Sequence, residues 1–211
     1  MTAVTKALLV HLHARNDKAN EVERLLVSAL GDVEREPGTT AWFALRFGRG
    51  HYGIFDAFPD ESARAAHLAG PVAAAVMAAG DTLLDEPPSI EPLDVLASKL
   101  PDGPAAEVQK GLLLTFAAKG GRAPEVEQFL HRGRSIVDEE PGTVAWFAIR
   151  LADGQYGIFD VFPDNGARFA HLTGRVPREL AKHALELLGS FPDMDMLNVL
   201  AHTVRSPSVP G

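Results

Sequence analysis

Glu36 to Arg46 reads EPGTTAWFALR, and Glu140 to Arg150 reads EPGTVAWFAIR. Sliding the chain by 104 positions aligns Lys6 with Lys110 and Ala97 with Ala201 without a gap, and a little under half of the paired residues are identical. A repeat of that span obliges the chain to build one kind of domain twice. The 211 residues therefore divide into two domains, 1–103 and 104–211, each of ordinary single-domain size. The segment LPDGPAAE, Leu100 to Glu107, joins them; two prolines and a glycine suit an exposed turn.

Within one copy, KALLVHLHA has strand character, and Ala19, Val22, Leu25, Leu26, Ala29, Leu30 and Val33 then recur at helical spacing until Pro37 and Gly38 stop the helix. TTAWFALRF and HYGIFDAF follow as two strands joined at Gly48, Arg49 and Gly50, a hairpin. A second helix runs from Ser62 to about Met77 with a kink at Gly70 and Pro71, and EPLDVLASKL closes the copy as a fourth strand. The order β-α-β-β-α-β is the ferredoxin-like arrangement, an α+β fold with helices on one face of an antiparallel sheet.

Strand alternation sorts the hairpin into two faces. Phe43, Leu45, Phe47, Gly53, Phe55 and Ala57 form a wholly apolar set, expected against the helices. The other set, Trp42, Ala44, Arg46, Tyr52, Ile54, Asp56 and Phe58, mixes large rings with charge, and the second copy keeps Trp146, Arg150, Tyr156, Asp160 and Phe162. Large rings are poorly tolerated by solvent, so this face is expected to lie against the other copy's sheet. The two repeats would then form an intramolecular, pseudo-dimeric α+β barrel, with a tether that holds the partner at high effective concentration. Further homodimerisation through outer surfaces stays open.

Composition removes several function classes. A formal charge of −8, with no block of Lys or Arg, lacks the basic surface that nucleic acid or an anionic membrane requires. The absence of cysteine excludes disulfides, thiolate metal sites and a cysteine nucleophile. No apolar run approaches the ~20 residues of a membrane-spanning helix, and MTAVTKALLVHLHAR reads as a strand rather than a leader, so a cytoplasmic protein is expected.

EPGT before a strand, followed by FPDESARAAHLAGPVAAAV, resembles the antibiotic biosynthesis monooxygenase family of the dimeric α+β barrel superfamily, and both copies fit that layout. The resemblance implies sheet-to-sheet pairing and, for one branch, oxygenases that use neither metal nor flavin and let an electron-rich phenol or quinol react with oxygen directly. It does not extend to haem degradation, because positions matching that branch hold Val10 and Phe58. The expected function is a cofactor-independent monooxygenase of a small aromatic molecule of phenol, anthrone or quinol type, with no metal; the alternative is a non-catalytic ligand-binding or structural barrel.

For the oxygenase, His11, His13 or Asp56 would take the proton and Arg46 would hold negative charge. Trp42, Tyr52 and Phe58 would pack the ring. His67 matches the family's Ala-His segment and would line the cleft, beside Asp94. Arg46 and Asp56 equally suit an ion pair, Trp42 and Tyr52 suit core filling, and His67 suits a helix cap. Where the first copy has His11 and His13 the second has Thr115 and Ala117, and where it has Asp94 the second has Asn198, which favours the first copy as the active one.

Overall fold

The computed structural model describes residues 4–103, 107–152 and 154–205, so 104–106 of the connecting segment lie outside the described residues. The first repeat runs β1 (Lys6–His13), α1 (Ala19–Ser28), α2 (Leu30–Val33), β2 (Ala41–Gly48), β3 (His51–Phe58), α3 (Glu61–Leu68), α4 (Pro71–Leu83) and β4 (Ser89–Lys99). The second runs β5 (Lys110–Ala117), α5 (Ala123–Asp138), β6 (Ala145–Arg150), β7 (Gln155–Phe162), α6 (Asn165–Leu172), α7 (Arg175–Leu187) and β8 (Asp193–Val204). This is the expected α+β, ferredoxin-like order in each copy.

Local chemistry sets the boundaries. The Asp60 carboxylate accepts from the Ala63 amide at 2.9 Å and starts α3; Asp164 accepts from Ala167 at 2.8 Å and starts α6. The expected kink is a full break: α4 begins anew at Pro71, where the missing proline N–H would have had no helical partner anyway. Gly50 turns the first hairpin at φ 75°, a conformation that penalises any side chain.

The strands β1, β3 and β2 pair antiparallel, as do β5, β7 and β6. The free edge of β2 is taken by β8, from Ala41↔Val204 to Arg46↔Asn198, and the free edge of β6 by β4, from Asp94↔Arg150 to Lys99↔Trp146. Consequently one compact unit gathers the chain up to Pro92, Asp102 and Gly103, and again from Leu197, and the other takes Leu93 to Pro101 and the second repeat up to Met196. Each fourth strand changes unit along its length.

Register corrects the assignment of faces. Leu8 and Trp42 both pair with Asp56, Val10 and Ala44 with Ile54, and Leu12 and Arg46 with Tyr52, and cross-strand partners share a face. Trp42, Ala44, Tyr52 and Ile54 pack with Val22, Leu26, Val33, Val72 and Val76 of the helices. The ring-and-charge set is therefore the helix face, and Phe43, Leu45, Phe55 and Ala57 point away, although they too are fully buried. With both faces covered, the apolarity of one parity does not tell which layer covers it. Among the described residues no helix is long and apolar enough to cross a membrane.

Candidate functional site

Charge on a buried sheet face needs partners, and the helix layer supplies them. In the second repeat Asp160, on β7, is 1% exposed, and its Oδ2 lies 3.2 Å from His171 Nε2 on α6. The other ring nitrogen of His171 donates to Glu140 Oε2 at 2.6 Å, and Glu140 also accepts from the Thr143 hydroxyl at 3.1 Å. The first repeat repeats the chain: Asp56 to His67 at 3.2 Å, His67 to Glu36 at 2.5 Å, and Thr39 to Glu36 at 2.8 Å. Burial by itself would lower both histidine pKa values. The two flanking carboxylates outweigh it and raise each to about 9, so each ring is an imidazolium at neutral pH. Burial pushes Asp56 and Asp160 up, against the pull of the neighbouring imidazolium.

The second repeat adds a cavity of about 430 Å³ between β5, β7 and α7. Its walls are Leu112, Leu114, Ile158, Val176, Leu180 and Leu188, and Asp160 and His171 lie in its lining. His171 faces Asp160 Oδ2 as an ion pair, and Asp160 Oδ1 has no hydrogen-bond partner. Leu185, Phe191 and Met194 form the rim, 89%, 95% and 49% exposed. An apolar space of ligand size, lined by one buried carboxylate with a free oxygen, has the features of a small-molecule site.

The residues singled out in the sequence do not meet in one place. His11 and His13 lie on the sheet face turned from the helices, with His11 Nδ1 3.0 Å from His51 Nε2 and the His13 ring stacked on His51 at 4.4 Å. Arg46, Trp42, Tyr52, Asp56 and Phe58 lie on the opposite face, so the grouping of His11 or His13 with Arg46, Trp42 and Tyr52 is not formed. Arg46 meets Glu23 of α1 at 3.3 Å, and Tyr52 points its hydroxyl at the same carboxylate. Trp42 is wholly buried in the helix-side core. Asp94 contacts the second repeat's arginine, with Oδ2 2.7 Å from Arg150 Nη2. Asp56, His67 and Phe58 do come together: the Phe58 ring lies 5.3 Å from that of His67.

Glu36 and Glu140 escaped the sequence reading, because EPGT looks like a helix stop and its glutamate acts 31 residues away. Glu23 and Glu127 escaped it as well. The signal available was helical phase: both occupy the same position of the first helix of their repeats. Among the described residues no group of three or more His, Cys, Asp or Glu is placed to hold a metal ion.

No family model matches the chain, and no curated protein matches it. Solved structures do. A provisionally named monooxygenase of Fusobacterium nucleatum superposes with a TM-score of 0.82 at 15% identity, over 97% of this chain and 96% of its own. One from Lactobacillus acidophilus gives 0.82 at 14% identity, over 96% and 97%. An anthrone oxidase-like protein gives 0.63 at 10% identity, over 95% and 92%. This chain has the monooxygenase-like ferredoxin fold. At these identities the likeness is one of fold, and the chemistry must be argued from the cavity.

Proposed function

We propose that the protein is a monooxygenase of the antibiotic biosynthesis monooxygenase type, oxidising a small aromatic substrate of phenol, anthrone or quinol class in the cavity of the second repeat without a cofactor of its own. The observation that carries this reading is Asp160, a buried carboxylate in the lining of an apolar space, ion-paired to His171 through Oδ2 and with Oδ1 left without a hydrogen-bond partner. Such a group is satisfied by a ligand that is apolar over most of its surface and brings one acidic hydrogen. The aliphatic walls orient the ring and exclude water, and Asp160 accepts the proton. His171, an imidazolium beside it, stabilises the anion formed.

The electron-rich anion then passes one electron to dioxygen, the two radicals combine at carbon to a peroxide anion, Asp160 returns its proton to that peroxide, and loss of water leaves a carbonyl. For an anthrone CH₂ this consumes one O₂, with one oxygen atom entering the product and the other leaving as water. The residues assigned here move the site from the first repeat, where His11 and His13 favoured it, to the second. The test is oxygen uptake with anthrone, 1-naphthol and hydroquinone. Asp160→Asn is expected to lose about 10²–10⁴ of the rate with its fold intact. Binding of these molecules without any oxygen uptake would establish the non-catalytic reading instead.

A further inference from the structure

The apolar cavity of the second repeat runs from a sealed end to an open one. Leu112, Ile158 and Asp160 in its lining are at most 3% exposed, whereas Leu185 in the last turn of α7, Phe191 in the connection to β8 and Met194 on β8 stand in solvent at its mouth. Asp160 Oδ1, the oxygen without a hydrogen-bond partner, is out of reach of solvent. A ligand that places a hydroxyl against this oxygen therefore enters hydroxyl first, and whatever the hydroxyl carries behind it points to the mouth.

The duplication supplies a control for the rim. The first repeat builds the same helix, connection and strand with Asp81 where the second has Leu185, and with Pro87 where it has Phe191. This domain thus folds without a large apolar side chain at either position. Two such side chains left in water beside an apolar opening mark a surface that is covered in use. Ile90 keeps the position of Met194 apolar in the first repeat, so the contrast rests on Leu185 and Phe191. Among the described residues of the lining, Phe191 is the one phenyl or indole ring. Walls of leucine, isoleucine and valine present methyl groups and no stacking platform, which suits methylenes behind a single hydroxylated ring better than a wide fused ring system.

We infer that the substrate is a phenol or quinol carrying an apolar chain, and that Leu185, Phe191 and Met194 hold this chain where it leaves the cavity and so set the preference for its length. This rests on the reading of the cavity as the substrate site and adds which part of the substrate lies outside it. The chain covers the exposed faces of Leu185 and Phe191, and they shield its methylenes, so apolar surface on both sides is withdrawn from water.

The test is calorimetric titration of the full-length protein, under nitrogen, with phenols that differ only in a 4-alkyl chain: ethyl, butyl, hexyl and octyl. Wild-type Kd is expected to tighten by about 4-fold for each methylene that is covered. The double variant Leu185→Asp, Phe191→Pro carries what the first repeat has at these positions, and its preference for the octyl over the ethyl member should shrink roughly 10-fold to 100-fold. Leu185→Ala with Phe191→Ala should act in the same direction to a smaller extent, and it carries the comparison should the first pair not fold. Affinity that stops rising beyond ethyl, or a preference equal in wild type and variants, would overturn the chain subsite alone; oxygen uptake with anthrone would still support the oxygenase. A chain preference as expected, with no oxygen uptake from any phenol or hydroquinone, would overturn the oxygenase reading and leave the subsite standing. Wild-type protein that binds none of the phenols would overturn both. Sedimentation separates the other occupant, a second copy of the chain: a dimer that the double variant converts to monomer, with the chain preference unchanged, would make the rim an interface between copies and overturn the inference.

Discussion

One imidazolium held between two carboxylates carries a pH signature. His67 and His171 rise from an ordinary 6.5 to about 9 in the folded chain, so the stability they contribute is complete below pH 6.5 and is lost as pH climbs through 9. Each shift corresponds to something on the order of 3 kcal/mol. The raised Asp56 and Asp160 act in the same direction, since a group that holds its proton more tightly in the folded chain loses stability as pH rises. Melting temperature should therefore fall between pH 7 and 10; a flat profile would contradict the triad. In a histidine-resolved NMR titration, Asp160→Asn should drop the His171 pKa below about 9, because the carboxylate that holds the proton is gone, while His67 stays near its value. His67 and His171 were legible as equivalent positions because the duplication marks them. Their partners were not, since a contact spanning 31 residues leaves no local pattern.

Elements were far easier to read than faces. Each strand and helix of the first repeat has its sequence signal: alternation in KALLVHLHA, the glycine turn before His51, and Gly70-Pro71 dividing the second helical stretch. What failed was the side toward which the hairpin turns Trp42 and Asp56. A strand buried on both faces has no polar parity to mark the outside, and the charged residues are satisfied by Glu23, Glu36 and His67 rather than by water. Two substitutions probe the elements directly. Asp164→Ala removes the carboxylate that accepts from Ala167 and should cost about 1 kcal/mol in denaturant melts. Gly53→Ala places a Cβ 2.4 Å from the Val10 carbonyl oxygen and 2.8 Å from the Phe47 ring, forcing β1 from β3. It should cost roughly 1–3 kcal/mol, and a neutral result would mean that the pairing tolerates a shift.

For the whole molecule, the informative feature is that β2 is completed by β8 and β6 by β4. Expressed alone, residues 1–103 lack Leu197–Val204, which leaves Ala41–Arg46 an open edge, while Leu93–Lys99 has lost β6. Two such fragments each hold the strand the other needs, so they should sediment as dimers or larger species. A stable, folded monomer would refute this. The repeat was legible from the sequence, but the division of each fourth strand between units was not, because pairing partners about 50 residues apart for β4 and more than 150 for β8 are set by edges and not by local pattern. The same exchange sets a schedule for synthesis. Arg205 donates its amide to Thr40 and its guanidinium to the Glu34 carbonyl, so the β2 region is finished by residues translated about 165 positions later. At ordinary elongation rates β2 waits on the order of ten seconds for its neighbour, an unpaired edge on a nascent chain. Slowing translation between Arg150 and Leu197 should therefore lower the soluble yield more than slowing it over the first hundred codons.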